Sequence, residues 1–232
     1  LTLIKFQGNN NIRITRNDFT GSIPTDLATK VIAILIGGVY NDTTAPYQYL
    51  SHDNRIDHNY FHDKANAGNF ITIDGTNSAV VSQNDRIDHN YFKNLGPRQT
   101  NEMEAVRLGW SAMSNSSGNT ILENNLFENC DGDPEIVSVK SCDNIIRNNT
   151  FIGSYGSLVL RSGRRNVVQG NYFFGNGRPV GLAGDGVTTV YTGGIRIYGV
   201  DHVVVNNYME GLNGTRWDAP ITLTQGDVID TG

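Results

Sequence analysis

The chain has 232 residues, 26 of them Gly, with 38% hydrophobic and 18% charged side chains, a turn-rich and core-forming balance that excludes a disordered polyelectrolyte. A formal net charge of −5 excludes the diffuse basic surface that captures nucleic acid, so an anionic partner would have to be met by local cations. No apolar run approaches the roughly 18 residues of a membrane span, and the first residues do not show the charged-then-apolar pattern of a signal peptide.

In chain order, the first predicted element is a strand, Leu1-Thr2-Leu3-Ile4-Lys5-Phe6. It starts without an initiator Met and without the polar cap that a solenoid end requires. The expectation is therefore one β-helix domain over 1–232, cut from a longer β-helix and lacking one or both caps. Next comes Asn17-Asp18-Phe19, and the motif recurs as Asn59-Tyr60-Phe61, Asn90-Tyr91-Phe92, Asn125-Leu126-Phe127, Asn149-Thr150-Phe151, Asn171-Tyr172-Phe173 and Asn207-Tyr208-Met209. Three residues before each Asn stands an aliphatic residue: Ile14, Ile56, Ile87, Leu122, Ile146, Val168 and Val204. Successive Asn residues are 42, 31, 35, 24, 22 and 36 apart, the shortest spacings matching one coil and the longer ones carrying inserted loops. A leucine-rich frame and helical periodicity are both missing. The fold class is all-β, a right-handed, single-stranded parallel β-helix.

A second strand recurs between these motifs, seen as alternating pairs Ile71/Ile73, Val106/Leu108, Val137/Val139, Leu158/Leu160, Ile195/Ile197 and Ile221/Leu223. Period-two alternation turns each pair inward and its neighbours outward, onto one wall with coils about 4.8 Å apart. The motif Asn residues are expected to form a structural ladder, Asn tolerating left-handed turns and its amide bonding those of adjacent coils. His58 and His89, in the duplicated Arg-Ile-Asp-His-Asn-Tyr-Phe segments, occupy the same repeat position and are read as turn and stacking residues. Cys130 and Cys142 match no zinc spacing and are read as buried thiols.

Directly after the inward pairs stand Asp74, Gly109, Lys140, Arg161, Tyr198 and Thr224, which makes Lys140 and Arg161 neighbours on successive coils. Two stacked cations need an anion or nearby carboxylates. Asp131, Asp133 and Glu135 precede the Lys140 strand, and Glu102 and Glu104 precede the strand one coil earlier, with Glu104 equivalent to Glu135. Such an oxygen-rich cluster suits Ca²⁺. Arg107 and Arg196 lie between the inward residues of their coils, and Arg98, Arg164, Arg165 and Arg178 lie in adjoining turns. An acidic protein that gathers guanidinium groups on one face is equipped to hold a polyanion, Arg being suited to bidentate carboxylate contacts.

Several segments carry a resemblance: Asn101-Glu-Met-Glu-Ala-Val-Arg-Leu-Gly-Trp-Ser111, Cys130-Asp-Gly-Asp-Pro-Glu-Ile-Val-Ser-Val-Lys-Ser141, Asn149-Thr-Phe151, Gly156-Ser-Leu-Val-Leu-Arg-Ser-Gly163 and Gly170-Asn-Tyr-Phe173. Together they resemble polysaccharide lyase family 6, the alginate lyases and the dermatan-sulfate-degrading chondroitinase B, all right-handed parallel β-helices. The likeness continues through Gly194-Ile-Arg-Ile-Tyr198 and Asn213-Gly-Thr-Arg-Trp-Asp-Ala-Pro-Ile-Thr222 and is weak over the first 50 residues.

The resemblance implies Lys140 as general base, Arg161 as general acid, and Ca²⁺ held by Asn101, Asp133 and Glu135. Arg107, Arg164, Arg196, Tyr198 and Glu104 are then expected to meet the substrate. The family commonly has Glu where this chain has Asp133, one methylene shorter and followed by Pro134, which puts the strength of the metal site in question. The implied partner is an anionic polysaccharide, alginate first and dermatan sulfate second, cleaved by β-elimination. The implied setting is a monomer secreted or held in a bacterial periplasm. Two rivals stand: a β-helix glycoside hydrolase using Asp131, Asp133 and Glu135, which leaves Lys140 and Arg161 without a task, and a non-catalytic carbohydrate-binding or adhesive β-helix.

Overall fold

A computed structural model describes residues 1–21, 26–37, 49–76, 79–99, 101–182 and 185–225. Its strands cycle through three parallel sheets, one strand per sheet in each turn of the chain, as a parallel β-helix requires. The first sheet has eight strands, Thr2–Gln7, Ile32–Gly37, Ile71–Ile73, Val106–Gly109, Glu135–Lys140, Ser157–Ser162, Ile195–Ile197 and Ile221–Leu223. The second and third sheets have seven each; in the central coils these run Ile145–Arg147 then Thr150–Ile152, and Val167–Gln169 then Tyr172–Phe174.

The inward pairs stack in the expected register. Ile71 faces Val106, Val106 faces Val137, Val137 faces Leu158 and Leu158 faces Ile195. All five are fully buried, whereas Ile221 and Leu223 of the last described coil are exposed. Inside the third sheet the motif phenylalanines form one column, Phe19, Phe61, Phe92, Phe127, Phe151 and Phe173, with ring centroids 4.7 to 5.0 Å apart. The sheet spacing dictates that distance, so each ring packs face to face at no extra cost in backbone geometry.

The corner between the second and third sheets is the Asn ladder. Each motif Asn donates from Nδ2 to Oδ1 of the next, from Asn17 through Asn59, Asn90, Asn125, Asn149 and Asn171 to Asn207, at 2.9 to 3.1 Å. The left-handed geometry falls on the residue before it: Arg16, His58, His89, Asn124, Asn148, Gly170 and Asn206 all have φ between 53° and 63°. That corrects the expectation for the Asn itself, which must keep an ordinary backbone to aim its amide inward while its predecessor turns the corner. His58 and His89 therefore sit at left-handed corners, and their rings stack at 4.9 Å. Both Cys130 and Cys142 are buried free thiols.

A second ladder stands five residues earlier in each coil. Asn54 donates to Asp85 Oδ1 at 3.1 Å, and Asn144 to Asn166 Oδ1 at 3.0 Å, while the Asn166 amide donates to His202 Nδ1 at 3.1 Å. Its corners are again left-handed, at Asn11, Asp53, Asn84, Asn119, Asp143, Arg165 and Asp201. Two sharp corners five residues apart confine the strand between them to three residues and close a coil in as few as 22 residues.

Candidate active site

The outer face of the first sheet and the turns that enter it from the third sheet hold the polar cluster. Gly109 pairs with Lys140, as the alternation predicts. The next coil departs from it: Val139 faces Leu160 but Lys140 faces Ser162, so Arg161 is an extra residue at a β-bulge. Lys140 and Arg161 are therefore not register neighbours, which corrects the sequence alignment. A bulge re-aims a side chain without breaking the ladder, and each cation has its own carboxylate. Lys140 Nζ lies 3.6 Å from Glu104 Oε1, and Arg161 Nε lies 3.3 Å from Glu135 Oε1. These two ion pairs offset the repulsion expected of stacked cations.

The carboxylates divide by partner. Asp131 is taken by Arg178, whose Nη2 lies 2.7 Å from Asp131 Oδ2, and it accepts from the Tyr155 amide at 2.9 Å, so it leaves the cluster. Glu102 is paired with Lys30 and lies 3.6 Å from Arg107 Nη1. Glu104, nearly fully buried, has its carboxyl pushed up by burial against the pull of Lys140. Turned with its nitrogen toward Glu104, the Asn69 amide donates to Glu104 Oε2 at 3.1 Å. Glu135 accepts from Ser138 Oγ. Asp133 is 4% exposed; Oδ1 accepts from the Glu135 amide at 3.1 Å, and the nearest cation to Oδ2 is Arg98 at 4.0 Å. Burial, with the charges of Glu104 and Glu135 added, pushes the Asp133 carboxyl up to about 7.

Asp133 Oδ2 is buried without a hydrogen-bond partner, an oxygen of the kind a hard cation would satisfy. Glu104 and Glu135 raise its proton affinity, and the side-chain atoms gathered around it that could bind a metal are carboxylate oxygens. The chemistry of these residues fits Ca²⁺. Asn101 is exposed in the turn before Val106–Gly109, and among the described residues no three His, Cys, Asp or Glu side chains are gathered as a metal site.

The remaining expected residues separate. Arg161 lies over the face of Tyr198, its guanidinium carbon 4.8 Å from the ring centroid. Arg107, 12% exposed, stands on the wall beside Glu102 with its Nε buried and unpartnered. Arg196 is committed to the turn Arg216–Asp218, with Nε donating to the Trp217 carbonyl at 2.8 Å and Nη2 to Asp218 Oδ1 at 2.8 Å. Arg164 sits beyond the bulge, bridged to Val200 at the corner toward the second sheet. Trp217 and Asp218 lie in the resembling segment 213–222 but, like Tyr155, were given no role from the sequence; their nearness to the Arg196 and Asp131 side chains reveals one.

A hairpin, Pro179–Leu182 paired with Thr189–Tyr191, is inserted where the third sheet turns into the first. It walls two adjoining cavities that share Tyr155 and Val190. One, of about 520 Å³, is lined by Tyr191, Arg216, Trp217 and Asp218; the other, of about 640 Å³, by Pro97, Arg98, Asp131 and Leu182. Each is large enough for a few sugar rings.

Three stacked parallel sheets with a Lys, an Arg and buried carboxylates on one wall define the class, a parallel β-helix with a charged outer wall. The chondroitinase B family profile matches residues 4–228, and the chain belongs to that family. Among solved structures it is similar to a mannuronic acid specific polysaccharide family 6 lyase from human gut microbiota, with 31% identity over 92% of this chain and a TM-score of 0.61. A PL6 alginate lyase in complex with a trisaccharide shows 28% identity over 81% and a TM-score of 0.62. The PL6 polysaccharide lyase Pedsa3628 from Pseudopedobacter saltans shows 25% identity over 89% and a TM-score of 0.61. This chain spans 46%, 36% and 41% of those three proteins, less than half of each. No curated protein matches the chain.

Proposed function

We propose that the protein cleaves a poly-uronate, alginate in the first place, by β-elimination on the outer wall of the first sheet. The observation that carries this reading is the separation of two cations onto two carboxylates, Lys140 on Glu104 and Arg161 on Glu135, with the bulge aiming Arg161 independently of its strand. A glycoside hydrolase would need an unencumbered carboxyl pair. Here Asp131 is bound by Arg178, and Glu135 faces Arg161.

In the proposed reaction Lys140, in its neutral form, takes the hydrogen from C5 of the uronate. The electron pair left behind forms the C4–C5 double bond as the C4–O4 bond breaks, and the departing oxygen receives its proton on the Arg161 side. Lys140 must therefore lose its own proton to solvent before it takes the one from C5. Asn101, Asp133 and Glu135 would hold Ca²⁺, which when bound would neutralise the substrate carboxylate and so acidify the C5 hydrogen. Arg107 and Arg98, both facing the wall or its cavities, would take carboxylates of flanking sugars.

The family profile, that of chondroitinase B, favours dermatan sulfate as the second substrate to test. Lysates are unnecessary: purified chain is given alginate and dermatan sulfate, and the ultraviolet absorbance of the unsaturated uronate product is followed. Product from either polymer is expected, and Lys140→Ala is expected to lower kcat by at least about 10²-fold while the polymer still binds. A flat trace on both substrates, with binding retained, would instead identify a carbohydrate-binding β-helix.

A further inference from the structure

Arg161 meets the Glu135 carboxylate at 3.3 Å through Nε. The bulge takes the residue out of the coil register and re-aims its side chain. Its guanidinium also meets an aromatic face. Tyr198 follows Ile195–Ile197, and its amide donates to the Leu160 carbonyl at 3.0 Å, which fixes its backbone beside that of Arg161. Its ring, 6% exposed as a residue, receives the Arg161 guanidinium at 4.8 Å.

Tyr198 is itself backed. Its ring lies 6.3 Å from that of Trp217 at an interplanar angle of 21°, and Arg196 caps Trp217 at 5.7 Å while binding the Trp217 carbonyl and Asp218. The order is Arg161, Tyr198, Trp217, Arg196: cation, ring, ring, cation. The turn that carries Trp217 is seated on backbone with no room for side chains. A Cβ at Gly214 would come within 1.9 Å of the Asp218 carbonyl oxygen, and one at Gly194 within 2.1 Å of that of Pro220. Electron-rich ring faces attract guanidinium groups, and a second ring behind the first adds a stacking contact that favours its present orientation.

We propose that Tyr198, braced by Trp217 and Arg196, is a positioning residue for Arg161 in the elimination. The assignment rests on the reading of Arg161 as the group at the leaving oxygen. It gives Tyr198 a task other than binding substrate through its hydroxyl, and it makes the Arg216–Asp218 turn part of the active site although the turn need not touch the reacting atoms. Misplacing a catalytic group by about 1 Å costs on the order of 10²-fold in rate.

The test is steady-state kinetics of the whole chain on the polymer that it cleaves, with variants checked for an unchanged melting transition. Tyr198→Leu is expected to lower kcat by about 10- to 100-fold with KM held, and Tyr198→Phe, which keeps the face and loses the hydroxyl, is expected to rescue kcat. In the background of Arg161→Lys the Leu substitution should cost little more, since the two act as one unit. If Tyr198→Leu does not fold, Trp217→Leu, at a site already half exposed, removes the brace instead; a lower kcat rescued by Trp217→Phe is then expected. The proposal is overturned by a Tyr198→Leu enzyme with normal kcat, by a Tyr198→Phe enzyme whose KM rises, or by losses that add fully to those of Arg161→Lys. Full activity of Arg161→Ala, or no product from the unmodified chain, would remove the reading of Arg161 itself, and is told apart because it does not depend on Tyr198.

Discussion

At the scale of single residues, the site is governed by which carboxylate keeps a partner. Asp131, Asp133 and Glu135 look alike in sequence, three acids in five positions, yet their surroundings divide them. Asp131 is paired with Arg178, Glu135 faces Arg161, and Asp133 is left buried with one oxygen unsatisfied. The metal expectation can therefore be checked without turnover. Adding Ca²⁺ to the metal-free chain is expected to raise its melting temperature, since any ligand bound only by the folded state stabilises it by mass action. Asp133→Asn should abolish that rise, and Asp131→Asn should leave it. An equal rise in all three proteins would move the cation elsewhere. The sequence made the acid-rich turn legible; it could not say which acid Arg178 claims, because that arginine arrives from 47 residues away.

At the scale of elements, periodicity was the readable signal and irregularity was not. The inward pairs stack as their alternation requires, but the bulge at Arg161 leaves Leu158-Val159-Leu160 looking like any other strand and is visible only in the pairing of Lys140 with Ser162. The Asn ladder was legible from its repeat; the second ladder was hidden because its rungs vary among Asn54, Asp85, Asn144, Asn166 and His202. Ladder position sets the cost of a missing rung. Asn149 is fully buried, accepts from both nitrogens of Asn125 and donates to Asn171 and to the Leu122 carbonyl, so Asn149→Ala strands several buried groups. A loss of about 3 kcal/mol or more is expected in urea unfolding, against under about 1 kcal/mol for Asn17→Ala on the exposed first rung.

The second sheet adds an acid-sensitive element. Arg13 donates to Asp57 at 2.6 and 2.7 Å, and Arg55 repeats the contact with Asp88 one coil on. The Arg13 hydrogen bonds hold the buried Asp57 carboxyl well below the usual carboxylate range, despite the opposing effect of burial. A depressed carboxylate binds its proton more readily in the unfolded chain. Its contribution is then fully present above the ordinary carboxylate range and is lost as pH falls toward the folded value. Acid titration followed by circular dichroism should show unfolding below about pH 4, with a shallower acid limb in Asp57→Asn. An unchanged limb would mean that other carboxylates set acid stability.

At the scale of the whole molecule, the coils and the insertions have separate tasks. The two shortest spacings, 24 and 22 residues, fall on the coils that carry Lys140 and Arg161, so these coils spend almost no chain between the core ladder and the wall proposed to react. The next coil spends its longer spacing on the hairpin of Pro179–Leu182 and Thr189–Tyr191, whose two strands, among the described residues, pair only with each other. Stacking does not need that hairpin: Leu158 meets Ile195, and Tyr172 meets Tyr208, on either side of it. In a solenoid, stability is close to a sum of coil and interface terms, so an insertion that contributes to neither can be shortened at little cost. What the hairpin does provide is the wall of both cavities, through Val180, Leu182, Val190 and Tyr191. Replacing its tip by a tight turn, with Arg178 and its Asp131 contact kept, is expected to leave the melting temperature within about 2–4 °C of the parent. On the polymer KM should rise, while kcat on the shortest cleavable oligosaccharide stays the same, because the lost contacts lie beyond the reacting sugars and act on bound and reacting states alike. A fall in kcat on that short substrate would place the hairpin against the reacting atoms; an unchanged KM on the polymer would remove it from substrate binding.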